Sequence, residues 1–180
     1  MFQKNKVLRS ITFGALLAVS GTVFADDIYY GANVAFIDYS EEGIATDASV
    51  TALYGRIGTS FNENFSAEAR IGFGLTDDTV NLFGEDVDLE INNFFGAYLK
   101  GGVQVSEVFY PYAIIGYTRG EVEASVLGFS ISESESDVSF GLGADLSIID
   151  GVTVNLEYMS YFDKDGADLS GFSLGFISRF

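Results

Sequence analysis

From about residue 28 onward the chain alternates large apolar positions with small or polar ones, and residues 169–180 show the pattern most clearly. There Phe172, Leu174, Phe176 and Phe180 fall on one row, and Gly171, Ser173, Gly175 and Arg179 on the other. Side chains of a strand point to opposite faces with a period of two, so one face is large and apolar and the other is small or charged. The same alternation predicts eight strands, over residues 28–38, 48–60, 65–75, 89–105, 110–126, 129–148, 152–162 and 170–180. Their apolar row holds Tyr30, Val34, Phe36, Leu53, Ile57, Phe61, Phe65, Ala67, Ala69, Ile71, Phe73, Phe95, Ala97, Leu99, Val103, Phe140, Leu142, Ala144, Leu146, Val154, Leu156 and Tyr158. The opposite row holds Arg56, Glu68, Arg70, Glu90, Lys100, Asp145, Glu157 and Arg179.

Small and charged residues on one face with Phe and Leu on the other predict hydrocarbon outside and a packed polar lumen inside. A slip of one residue would turn Arg56, Arg70, Lys100 and Arg179 outward, at roughly 2–4 kcal/mol each near a bilayer midplane. Two places resist the rule. Asn93 falls on the apolar row, and Tyr112-Ala113-Ile114-Ile115-Gly116-Tyr117 is apolar on both faces, so the register of the fifth strand is left open. A soluble β-barrel or sandwich would instead turn the polar row to water, but that row is rich in Gly and Ser and nearly devoid of Lys.

The connections are unequal. Phe61-Asn62-Glu63-Asn64, residues 106–109 and Ile149-Asp150-Gly151 are tight, whereas those after the first, third, fifth and seventh strands are acidic and mostly longer. An even strand number brings both ends to one side, where first and last strands pair and leave no edge. Aromatic residues gather at two levels, Phe61, Phe65, Tyr110 and Phe180 toward the tight turns and Phe36, Phe73, Phe162 and Phe172 toward the long connections. Belts at two membrane interfaces have this arrangement. The fifth and sixth strands continue past the roughly 9–11 residues a bilayer needs, meeting at Leu127-Gly128, and predict a projecting hairpin.

Residues 1–25 read as a cleavable signal peptide. Lys4, Lys6 and Arg9 lead an apolar stretch that ends at Val23-Phe24-Ala25, too short for the roughly 20 residues of a membrane anchor. The expected mature domain, residues 26–180, has 180 − 25 = 155 residues. It keeps 9 − 3 = 6 basic residues against 26 acidic ones, a net charge of 6 − 26 = −20. That balance argues against nucleic acid as a partner. With no Cys, neither a disulfide framework nor a lipid-modified cysteine is available.

These patterns, with the chain ending on Phe180, resemble the small bacterial outer-membrane β-barrels of OmpA-like, OmpX-like and opacity type. Phe172, Leu174, Phe176 and Phe180 are similar to the C-terminal assembly signal of that family, with Ser178 a departure on the apolar row. The resemblance implies an eight-stranded antiparallel up-and-down barrel with both termini periplasmic. It further implies a monomer surrounded by outer-membrane lipid and lipopolysaccharide and inserted by the outer-membrane assembly machinery. The enzymes among such barrels require a His as general base, and this chain has none; no catalytic residues and no cofactor are expected.

Counting from each tight turn puts Arg56, Glu68, Arg70, Lys100, Asp145 and Glu157 at similar depth inside. Arg56 and Arg70 should lie nearly opposite each other with a carboxylate, Glu68, between them, because buried charges persist only when paired. Such a network is the polar core of a filled barrel or, alternatively, the gate of a narrow ion or solute pore. Asp163, Asp165 and Asp168 resemble the start of an EF-hand loop but lack its distal Glu, a weak metal candidate. The functional expectation is a structural envelope protein; the alternative is an adhesin that engages an external protein ligand through the projecting acidic hairpin.

Overall fold

The computed structural model describes residues 28–41, 48–76, 78–82, 85–126, 129–164 and 167–179. The described residues form nine strands: β1 (Ile28–Glu41), β2 (Ala48–Ser60), β3 (Phe65–Gly74), β4 (Asp78–Leu82), β5 (Glu85–Gly102), β6 (Phe109–Val126), β7 (Phe129–Ile149), β8 (Val152–Lys164) and β9 (Ala167–Arg179). All pairings are antiparallel, and β3 pairs with β5 to close an eight-stranded ring in the order β3-β2-β1-β9-β8-β7-β6-β5. The ring is the predicted barrel. The ninth strand, β4, stands outside it and pairs only with residues 85–89 of β5. Its sequence, DTVNL, is too short and too polar to read as a strand alone; pairing with β5 makes it one.

The register fixes the geometry. A row of paired residues runs from Tyr30 through Ile57, Ala69, Ala97 and Tyr117 to Val138 in one direction, and through Ser178 and Val152 to Ile149 in the other. The ends lie 149 − 138 = 11 residues apart on β7, one of which, Ile148, is a bulge. One circuit therefore advances 11 − 1 = 10 residues. With strands about 4.8 Å apart and about 3.3 Å of rise per residue, eight strands so staggered tilt by about 40°, and each residue climbs about 2.5 Å along the axis.

The outer face carries the predicted apolar row. Phe36, Ile71, Phe95, Leu142, Leu156, Phe172, Leu174 and Phe176 are all exposed there. Alternation on β6 resolves as Tyr112, Ile114 and Thr118 inside and Ile115 and Tyr117 outside. Asn93 does lie on the outer face.

Three expectations are corrected. A bulge between Ile91 and Asn93 changes the alternation, so Glu90 loses the parity of Lys100 and pairs by register with Glu123 on the row of Asn93 and Glu121. A second shift between Ser160 and Phe162 leaves Tyr161 buried and packs Phe162 on the inner cluster, away from the outer aromatic belt. Tyr110 is also inside: it pairs with Asp145, and its hydroxyl donates to the Asn64 carbonyl at 3.0 Å. Phe180 lies outside the described residues.

Glycines of the inner row explain how rings fill the lumen. A Cβ on Gly58 would collide with the Tyr29 ring, and one on Gly143 with the Tyr112 ring. The missing side chains are slots in which the tyrosines lie flat against the opposite backbone.

Candidate functional site

Arg56 of β2 and Arg70 of β3 are direct register partners facing inward. Two buried guanidinium groups at adjacent places need an acceptor between them, and Glu68 supplies it. Its Oε2 accepts from Arg56 Nη2 at 2.6 Å and its Oε1 from Arg70 Nε at 2.5 Å. Glu157 on β8 closes the other side with a two-pronged contact, accepting from Arg70 Nη1 at 2.5 Å and Nη2 at 2.9 Å. The side chains of all four residues are sealed from solvent. Lower in the barrel, Lys100 Nζ donates to Asp145 Oδ2 at 2.5 Å and lies 3.8 Å from the centroid of the Tyr112 ring.

Asn155 joins the two groups. Its Oδ1 accepts from Arg56 Nη1 at 2.7 Å and from Asn33 Nδ2 at 2.8 Å, while its Nδ2 donates to Asp145 Oδ1 and the Tyr112 hydroxyl, both at 2.7 Å. Tyr112 in turn donates to Glu157 Oε2 at 2.6 Å, and Tyr29 donates to Glu68 Oε2 at 3.0 Å. Three cations and three carboxylates thus share one neutral, connected layer, the arrangement that makes buried charge tolerable. Sequence reasoning named all six charged members but missed Asn155, Asn33 and the tyrosines. Asn155 was findable, two residues from Glu157 on the same parity; Tyr112 was not, because its strand is apolar on both faces.

Above this layer the lumen departs from the expected polar filling. Ile37, Val50, Ile91, Phe94, Met159 and Tyr161 form a buried apolar plug toward the long connections. It borders a small, partly open apolar pocket lined by Ile37, Ile91, Phe94, Tyr161, Phe162 and Leu169 among others. Charge layer and plug therefore lie in series along the axis.

The end with the long connections differs in kind. β6 and β7 stay paired up to Val126 and Phe129, while β8 joins β7 only from Phe140 onward. Among the described residues, 129–139 therefore have a partner strand on the β6 side alone. With β4 and the start of β5, these segments make a four-stranded sheet that rises beyond the ring. Positions 38–47, 77–90, 119–137 and 163–168 hold 18 acidic residues against Arg119 and Lys164. Of the weak metal candidates, Asp163 and Asp168 are cross-strand partners and Asp165 lies outside the described residues. No three His, Cys, Asp or Glu residues converge among the described residues.

A closed antiparallel barrel with an apolar exterior and its charges neutralised inside is the form in which β-structure spans a membrane, since closure satisfies every backbone group in hydrocarbon. The chain belongs to the outer membrane protein beta-barrel domain family, whose model matches residues 11–180. Its fold is shared with Ail, the attachment invasion locus protein of Yersinia pestis, at 15% identity and a TM-score of 0.66, covering 86% of this chain and 99% of that one. It is likewise shared with OprG of Pseudomonas aeruginosa (12% identity, TM-score 0.65, 87% and 96% covered) and Neisserial surface protein A (13%, 0.62, 85% and 97%). No curated protein sequence matches it.

Proposed function

We propose that this protein is a non-catalytic, non-conducting barrel that presents its protruding sheet at the cell surface as a recognition edge for a cationic protein partner. In this reading the signal peptide directs export, the apolar residues of β9 guide assembly, the tight turns and both termini face the periplasm, and the barrel sits as a monomer in lipid and lipopolysaccharide. The observation that carries it is the one-sided pairing of residues 129–139. A free strand edge offers backbone donors and acceptors to an incoming strand. Its register neighbours supply charge: Glu121, Glu133, Glu135 and Asp137 favour a strand bearing Lys or Arg.

One solved neighbour is Ail in complex with the heparin analogue sucrose octasulfate. Eighteen carboxylates against two bases at this end oppose a polyanion here, so sucrose octasulfate is expected not to bind. Backbone N–H groups alternate between the two sides of a strand, so of two consecutive prolines only one removes a donor from the free edge. Ser134→Pro and Glu135→Pro, made singly, test the edge. Capture of an immobilised Lys-rich β-forming peptide should be lost in one variant and kept in the other, with membrane insertion unchanged in both. Equal capture by both variants and by wild type would refute the edge.

The second reading, a purely structural contribution to the envelope, draws on the filled lumen. The pore reading requires both the charge layer and the apolar plug to open. Single-channel recording on wild type, Glu68→Gln and Arg70→Gln is expected to give no conductance in any of the three; opening in a mutant would favour a gate.

A further inference from the structure

The outer apolar row does not stop where the strands stop. Val105 and Val108, on the turn between β5 and β6, are 63% and 55% exposed, and Ile148 and Ile149, where β7 turns into β8, are 64% and 66% exposed. The two turns are tied together, since Ser147 N donates to the Val108 carbonyl at 3.0 Å. They therefore form one contiguous aliphatic patch at the short-turn end.

Residues of this size exposed on a turn are out of place in water, and the height of the lipid-facing belt gives the reason for them. If the outward row of β7, which starts at the exposed Val138, ended at Leu146 it would run 146 − 138 = 8 residues, roughly 20 Å at about 2.5 Å per residue, short of the roughly 25 Å such a belt requires. Continued through Ile148 to Ile149 it gains about 5 Å. On β5 the row from Phe95 through Leu99 and Val103 to Val105 covers 105 − 95 = 10 residues, roughly 25 Å. The patch is thus the lowest rung of the lipid-facing belt on this flank and is continuous with Val103, Phe109 and Leu146 above it. Glu107 and Asp150, the carboxylates at the two turn tips, mark the level at which water or head groups begin.

We propose that these turns are immersed in the membrane leaflet at the short-turn end, where phospholipid acyl chains cover Val105, Val108, Ile148 and Ile149. On this side the barrel is held by aliphatic residues, while Phe61 and Phe65 hold the flank of β2 and β3.

The chain has no Trp and no Cys, so one introduced label reports alone. Val108→Trp and Ile149→Trp, with Glu63→Trp as a reference on the exposed β2–β3 turn, are to be folded as full-length barrels into phosphatidylcholine vesicles. The first two should show blue-shifted emission that acyl-brominated lipid quenches and aqueous iodide leaves unchanged, with the reverse at position 63. Red-shifted, iodide-quenched emission at both turn positions would overturn the proposal and leave the patch to a soluble protein partner. If either Trp variant does not fold, Val108→Cys and Ile149→Cys carrying an environment-sensitive fluorophore give the same reading.

Discussion

At the residue scale, the two inner arginines are not equivalent. Arg70 uses Nε, Nη1 and Nη2 on carboxylates, and its guanidinium carbon lies 4.6 Å and 5.1 Å from the ring centroids of Tyr98 and Tyr54. Arg56 places Nη1 on Asn155 and Nη2 on Glu68, and its Nε is buried without a partner among the described residues. A lysine offers a point charge in place of the planar fork. Arg70→Lys should therefore destabilise the folded barrel more than Arg56→Lys, read as the shift in urea midpoint of protein folded in vesicles. Glu157→Ala leaves two guanidinium donors and the Tyr112 hydroxyl without their acceptor, a loss of about 3–5 kcal/mol in the same measurement. A value near zero would mean that the layer admits water freely.

Individual elements were legible where one face was consistent and illegible where a single residue changed the count. The lipid-facing rows of β3 and β9 follow from alternation alone, because β3 places Phe, Ala and Ile and β9 places Phe and Leu on one parity, with mostly Gly, Ser or charge on the other. Bulges left no comparable mark. Asn92 and Tyr161 resemble their neighbours, yet each insertion reverses the alternation across it, which displaced Glu90 and Phe162 from their expected rows. Turns are better specified. Gly151 sits at φ 78°, left-handed backbone that a β-branched residue avoids, with open space around its missing Cβ. Gly151→Val should cost about 1–2 kcal/mol through backbone strain alone; a neutral result in the vesicle-unfolding assay would show that the turn rearranges.

For the whole molecule, polarity is divided by level. The interior is charged but neutral and paired at mid-height and apolar at the plug, and the loop end is strongly negative. Capture of a cationic peptide by that end should weaken steeply as salt is raised, because exposed charges are screened beyond about 10 Å at 0.1 M. Capture unaffected by salt would point to contacts other than the acidic surface. Folding itself should respond little, since the charges that matter to it are buried. Salt titration of peptide capture, run beside salt titration of the urea midpoint, separates the two.

The sequence by itself determined the number of strands in the ring, the outward face of all of them but β6 and the identity of the six inner charges. Those come from a period of two and from the cost of ionised groups in hydrocarbon, both local rules. Tertiary structure alone decided the ten-residue stagger, the joining of the charges through Asn155 and Tyr112, the apolar plug above them and the pairing of β4. Each depends on which residues meet across strands distant in sequence, and a single bulge is enough to change that meeting.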